Sequence, residues 1–383
     1  RLDNSYGLPD VGLPPWIVEN IRSFPELQLS TKKGGNMNFY NRQHQYYCGI
    51  DLHARKMYVC ILDQKGKTMV HQNINTEPEA FLQSISPYME DIVVGVECVF
   101  CWYWVSDLCA KHQIPFVLGH ALYMKAIHGG KTKNDKIDSY KIALLLKGGN
   151  FPTAYSYPAP WRATRDLLRR RMYLMRRCGE LVAHIQNTKT QYNLPGFTKR
   201  LARKYNHDGV AEKFENPEVR KSVEVDLAAI AALNRILNQL EWHIEKTAEQ
   251  HDYHTLYLLR SMPGVGLILA LVFLYEIEDI KRFPSVQDFS SYARLIKPVK
   301  TSDGKWAGKS NGKIGNHHLK WACNEAAILM LRESQQAKQY VAKLERKYNK
   351  GKALGIFTHK IGRAIYFILK NKEAFDMEKF FSQ

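Results

Sequence analysis

The chain has 383 residues, 45% of them hydrophobic, which is enough for two or three separately cored regions and unlike the composition of a disordered chain. Its 55 Lys and Arg against 37 Asp and Glu leave a formal net charge of +18, pointing to a polyanionic partner, most commonly nucleic acid. The longest apolar stretch, Val265 to Tyr275, is too short to cross a bilayer and reads as a buried helix, so no membrane partner is expected.

Residues 1–44 are expected to form a non-globular extension: the stretch to Gly35 is rich in Pro and Gly and lacks periodicity, and Met37 reads as a candidate translation start. From Gln45 the pattern sharpens. Apolar, β-branched runs predict strands over 46–52, 57–62 and 68–74, a meander whose second turn is Gln64-Lys65-Gly66-Lys67. A helix over 78–88 and a strand ending at Glu97 follow. Next come a helix over 102–113, a strand over 114–118, and a helix over 135–147 closed by Gly148-Gly149. Three antiparallel strands followed by alternating helices and strands give an α/β layer, over 45–150, with the topology of the RNase H-like (RuvC-like) fold.

Four acids stand out in that layer. Asp51 lies near the end of its apolar run, Glu97 is embedded in a β-branched one, and Asp135 and Asp138 share a face at a helix start. Any one of them alone is ordinarily a turn former or helix cap. An ionised carboxylate in a buried strand is costly unless it is paired or binds metal. Together they predict a divalent-ion site, suited to two Mg²⁺ because hard cations prefer oxygen ligands. The seven cysteines are scattered, and Cys98 and Cys101 form a lone CxxC that reads as packing rather than zinc binding. The odd count and the absence of a leader-like start fit a reducing cytoplasm, with the nucleoid as the expected location.

Pro152, Pro158 and Pro160 mark a linker into a basic helical region expected over 151–258, with helices over 160–192 and 217–259. From Trp161 to Asn206 there are 12 Lys and Arg against only Asp166 and Glu180. Arg162, Arg165, Arg169, Arg170, Arg176, Arg177 and Lys189 are therefore candidate phosphate contacts, since the guanidinium fork suits phosphate oxygens; a solvated helix face is the bland alternative. Tyr173 and Tyr192 among them can stack on unpaired bases or simply pack. Ile230, Leu233, Leu237, Leu240 and Ile244 recur as a heptad seam, for a helical hairpin or an intermolecular coiled coil.

The last region, 259–383, is expected to be mainly helical. Ser261-Met262-Pro263-Gly264-Val265-Gly266 has the form of a helix-hairpin-helix turn, in which the backbone at Gly264 and Gly266 can hold a phosphate. A tight turn between packed helices is the alternative. Gly304 to Ser310 looks like a P-loop but is one residue short and lacks a strand-then-helix context, which excludes ATP binding.

This order of motifs resembles the DEDD transposases of insertion sequences and the related Piv/MooV-type DNA invertases, the IS one-ten family, also called bridge recombinases. The resemblance spans Gln45 to about Phe375. Gly49-Ile50-Asp51, Val96-Glu97 and Lys133-Asn134-Asp135-Lys136-Ile137-Asp138 are similar to the family's acidic motifs, the last being the most specific. Between Leu295-Ile296-Lys297-Pro298 and Lys313-Ile314-Gly315-Asn316 the family carries a catalytic serine, and Ser302 matches its interval to the following glycine, with Thr301 and Ser310 in reserve. Ser302 also fits a Ser-Asp-Gly hairpin turn. Lys313 is a further nucleic-acid candidate. The chain departs from the family at Cys98-Val99-Phe100-Cys101, Arg294 and Gly312.

The resemblance implies Mg²⁺-dependent cleavage and exchange of donor and target double-stranded DNA through a phosphoserine. It also implies guidance by a structured noncoding RNA, and a homo-oligomer, dimer or tetramer, whose protomers share each active site. Two other readings compete on the residues. A hydrolytic nuclease, such as a RuvC-like Holliday-junction resolvase, needs the four acids but not Ser302. A catalytically silent nucleic-acid-binding relative needs neither.

Overall fold

The computed structural model describes residues 38–127, 134–197, 200–296, 299–302, 305–309 and 314–382. Phe39–Tyr40 (β1) pairs antiparallel with Phe151–Pro152 (β7), tying the two ends of the first region together. Between them run Tyr46–Leu52 (β2), Lys56–Asp63 (β3), Thr68–Asn75 (β4), Pro78–Ile85 (α1), Ile92–Glu97 (β5), Tyr103–Lys111 (α2), Phe116–Gly119 (β6), Ala121–Ile127 (α3) and Asp135–Lys147 (α4). The sheet order is β4-β3-β2-β5-β6, with β2, β3 and β4 antiparallel and β5 and β6 parallel to β2. The expected meander and α/β alternation are both present. The start of the last strand shifts to Phe116, and the first helix ends at Ile85 with a 3₁₀ turn over Ser86–Tyr88.

Alternation of side chains decides what each face of the sheet carries. Cys48, Ile50, Leu52, Val94 and Val96 point to one core, with Phe81, Ile85, Trp102, Val105 and Cys109 from α1 and α2. Tyr47 and Val93 point to the other, with Ile142, Leu145 and Leu146 of α4. Gly49 and Gly95 share this second face, and both are needed there. A Cβ on Gly49 would lie 2.3 Å from the Ala143 nitrogen and 2.4 Å from the Ser139 carbonyl oxygen, and one on Gly95 2.6 Å from Leu146 Cδ1. The missing side chains let α4 sit directly on β2 and β5. Asp51 and Glu97 are two residues further along the same face.

Ala159–Gln191 (α5) and Pro217–Arg260 (α6) pack as a pair. Ile230 is buried in one cluster with Cys178 and Ile185 of α5, Leu233 packs against that cluster, and Leu237 and Ile244 are buried further along α6, so the seam faces a helical hairpin within the chain. Asp252 breaks the α6 geometry (φ −161°, ψ 80°), which kinks the helix there.

The remaining region is mainly helical, as expected: Leu267–Ile277 (α7), Val286–Tyr292 (α8), His317–Glu333 (α9), Gln335–Glu345 (α10), Lys350–Asn371 (α11) and Met377–Ser382 (α12). A hairpin of Val299–Ser302 (β8) and Lys305–Lys309 (β9) lies between α8 and α9. Helices α7, α9 and α11 form a core with Phe273, Tyr275, Phe289, Phe357 and Tyr366 at or near zero exposure. Among the described residues no helix is long and apolar enough to cross a membrane.

Candidate active site

Asp51 comes to the site because β2 carries it on the face that α4 covers. Its carboxylate is half-buried, and the first turn of α4 brings Asp135 and Asp138 toward it. Asn134 caps that helix by accepting the Lys136 N–H, and two acids in a first turn complement the helix dipole. His71 of β4 braces the same turn, with Nε2 2.8 Å from the Lys136 carbonyl oxygen. Between the two carboxylates stands His53: its Nε2 is 3.5 Å from Asp51 Oδ2 and 3.6 Å from Asp135 Oδ2. One donor atom from each of Asp51, His53 and Asp135 lies within 4.8 Å of the others.

Charge in this cluster is crowded. Burial pushes the Asp51 carboxyl above the usual carboxylate range; His53 opposes that, while Asp135 and Asp138 push it further up. Lys141 Nζ, 3.6 Å from Asp138 Oδ1, offsets part of the excess. Glu97 ends β5, immediately after the last paired position, Ile50 opposite Val96, so it follows Val96 as Asp51 follows Ile50 on the adjacent parallel strand. The chemistry of the donors, carboxylates crowded beside an imidazole, fits a divalent cation.

Two sequence comparisons bear on this geometry. A transposase family of the DEDD, IS110 type matches residues 48–194, and the transposase IS116/IS110/IS902 family matches residues 256–342, together more than half of the chain. The chain belongs to the IS110 family of DEDD transposases. It is also 29% identical over 113 residues to an insertion element IS110 uncharacterized 43.6 kDa protein of Streptomyces coelicolor, a match covering 30% of this chain and 27% of that relative.

In this IS110-family chain the basic stretch divides in two. Arg162 is 5% exposed, donates to both Asp107 carboxylate oxygens at 2.7 and 2.6 Å, and lies over the Tyr103 ring at 4.3 Å. Arg165 and Arg169 converge on Glu276 of α7, which is 1% exposed. All three arginines, read from sequence as candidate phosphate contacts, are paired with a carboxylate of the chain, Arg162 and Arg165 in the interior and Arg169 with 35% of its side chain exposed. Periodicity and charge counts do not distinguish a paired arginine from a free one. Arg170, Arg176 and Arg177 are exposed, Arg177 paired with Glu180 on the helix surface, Arg170 and Arg177 flanking the Tyr173 ring at 5.4 and 4.9 Å, and Lys189 is half-buried.

Glu276 and His53 were not anticipated as polar centres. Glu276 accepts from Arg165, Arg169 and Asn316 Nδ2, the last at 2.7 Å. Burial raises its carboxyl, but the hydrogen bond from Arg169 and both guanidinium charges outweigh that, leaving it at about 2. A single acid ending an apolar run was the available signal, the same one that marked Glu97. For His53 the signal was its place two residues after Asp51.

The C-terminal candidates separate similarly. Gly264 (φ +82°) packs against α9, where a Cβ would meet the Met330 nitrogen at 2.6 Å, so helix packing alone demands glycine there. Gly266 is the exposed N-cap of α7 with open space around it. Ser302 ends β8, its backbone opposite Lys305. Lys313, with Ser310, lies outside the described residues, as do residues 1–37.

Proposed function

We propose that this chain is a divalent-metal-dependent DNA transposase whose acids cleave the strand and whose Ser302 carries it through exchange. The observation that supports it most is the meeting of Asp51 and Asp135, 84 positions apart in sequence, across a strand end and a helix start. We read 45–150 as an RNase H-like catalytic layer, 151–258 as a basic helical arm and 259–383 as a serine-bearing domain with a helix-hairpin-helix turn at Gly264 and Gly266.

In this reading Asp51, Glu97, Asp135 and Asp138 would hold the cation, two Mg²⁺ in the full site, which when bound neutralises charge on the scissile phosphate and activates the attacking oxygen. The crowded carboxylates disfavour one another's ionisation, so a bound cation would relieve the repulsion they share. The Ser302 hydroxyl forms a bond to phosphorus as the DNA oxygen leaves with a proton, and a second strand's hydroxyl reverses the step by displacing serine. The ester retains the bond energy that rejoining without ATP requires. Arg170, Arg176, Arg177, Lys189 and Lys313 would track phosphates. A structured guide RNA and a dimer or tetramer complete the proposal.

Asp51→Asn should abolish strand cleavage on a plasmid substrate while leaving DNA retention in a gel intact. Ser302→Ala should abolish exchange and the covalent protein–DNA adduct that denaturing gels detect for wild type. Free nicking with no wild-type adduct would replace the serine route by a hydrolytic nuclease. Unchanged retention with no cleavage by wild type would leave only nucleic-acid binding.

A further inference from the structure

We infer that His53 is itself a metal ligand, and that the set Asp51, His53 and Asp135 makes this site prefer Mn²⁺ to Mg²⁺. The inference rests on the metal reading above and revises its ion: Mg²⁺ suits the four carboxylates alone, and His53 adds a nitrogen to that set. His53 leaves β2 one residue past the strand end, and its side chain is 56% exposed, so core packing does not dictate where the ring points. The ring nitrogen is nevertheless aimed at two carboxylates from different elements, at 3.5 and 3.6 Å. Donor atoms already within 4.8 Å of one another need only a small contraction to close on one ion.

Two arrangements are consistent with an imidazole between two carboxylates: a cationic counter-charge that a metal displaces, or a neutral ligand that a metal recruits. Two features favour the ligand. Lys141 already supplies a cation beside Asp138, and a single His53 nitrogen faces Asp51 and Asp135 at nearly equal distances, as one vertex of a shared coordination sphere would. The donor set then decides the ion. Mg²⁺ takes oxygen ligands and sheds water reluctantly, whereas Mn²⁺ shares its liking for carboxylates but, as a first-row transition ion, tolerates one imidazole nitrogen in the set better.

The test uses the full chain, stripped of metal by chelation and titrated calorimetrically with Mn²⁺ alone and with Mg²⁺ alone. Wild type should bind Mn²⁺ the more tightly. His53→Ala should weaken Mn²⁺ binding about tenfold or more, because losing even an outer-shell partner of a ligand costs about that much, while Mg²⁺ affinity changes much less. His53→Asp should shift the preference toward Mg²⁺. Mn²⁺ binding to His53→Ala as tight as wild type, or tighter, would overturn the assignment and make His53 a displaced counter-charge. Asp51→Asn separates the two layers of the argument: if it binds both ions as wild type does, or if wild type binds neither, the metal site itself fails.

Discussion

Gly49 has no room for a methyl group, and that fact places the acids. Its Cα faces the α4 backbone so closely that alanine would put Cβ 2.3 Å from the Ala143 nitrogen. Backbone cannot rotate away as a side-chain tip can, so Gly49→Ala must push α4, and with it Asp135, off the sheet. Overpacking of this kind costs about 1–3 kcal/mol. We expect a lowered Tm together with weakened metal binding in a calorimetric titration; a variant with unchanged Tm and unchanged affinity would show that α4 placement does not set the site. Asp51 could be picked out as a candidate residue from sequence because an acid in an apolar run is chemically conspicuous, and Asp135 and Asp138 because two acids three apart share a face at a helix start. His53 was not, because its significance depends on Asp135, which the chain brings back only after four more strands and the helices between them.

At the scale of elements, Glu276 joins the basic helix to the C-terminal core. Arg165 and Arg169 come from α5, Glu276 from α7, and Asn316 caps α9 by accepting the His318 and Leu319 N–H groups. Asn316 also closes the segment that carries Ser302: its N–H donates to the Tyr292 carbonyl at 2.6 Å, and Arg294 Nε donates to the Gly315 carbonyl at 2.9 Å. Glu276→Gln removes the counter-charge from two guanidinium groups, one of them well buried. Breaking a buried pair from one side costs about 3 kcal/mol or more. Denaturant titration should show that loss as a lower midpoint, and a midpoint equal to wild type would mean solvent already neutralises the arginines. Helices over 135–147, 160–192 and 217–259 were legible within a residue or two from periodicity and caps. The heptad seam was legible only as a seam; its partner, α5, became identifiable once the chain was seen to fold back.

Over the whole molecule, charge and protonation set the expected behaviour. The arginines left exposed on α5 are Arg170, Arg176 and Arg177; burial, then Arg169, Arg294 and Arg176, lowers the pKa of nearby His317 against the pull of Glu276. If this face tracks phosphates, replacing Arg170, Arg176 and Arg177 by Ala should reduce the slope of log K against log salt by about 2–3. Arg162→Ala should instead lower stability and leave that slope unchanged, and filter binding across a salt series separates the two. Acid should weaken the C-terminal core in two stages. Burial, opposed by Glu276, holds His318 down at about 4, below its ordinary 6.5, so the unfolded chain binds the proton first and stability falls as pH drops from 6.5 toward 4. Glu276, held at about 2 against an ordinary 4.5, keeps its contribution above 4.5 and loses it as pH falls toward 2. Tm measured across pH should show both declines, with the lower one absent from Glu276→Gln.

Some of this followed from the sequence alone. Strand and helix periods are local, so the α/β first region, the long basic helices and the helical end could be read from the order of residues, as could the acids that break an apolar pattern. Charge is a sum, so the excess of arginine and lysine was plain as well. Which arginines face solvent, which acid meets which, and that an exposed histidine stands between two carboxylates are facts of distance between segments far apart in the chain. Only the packing of α4 on the sheet and of α5 against α6 and α7 decided them, because pairing of charges depends on where side chains end up, and a list of residues carries no such coordinates.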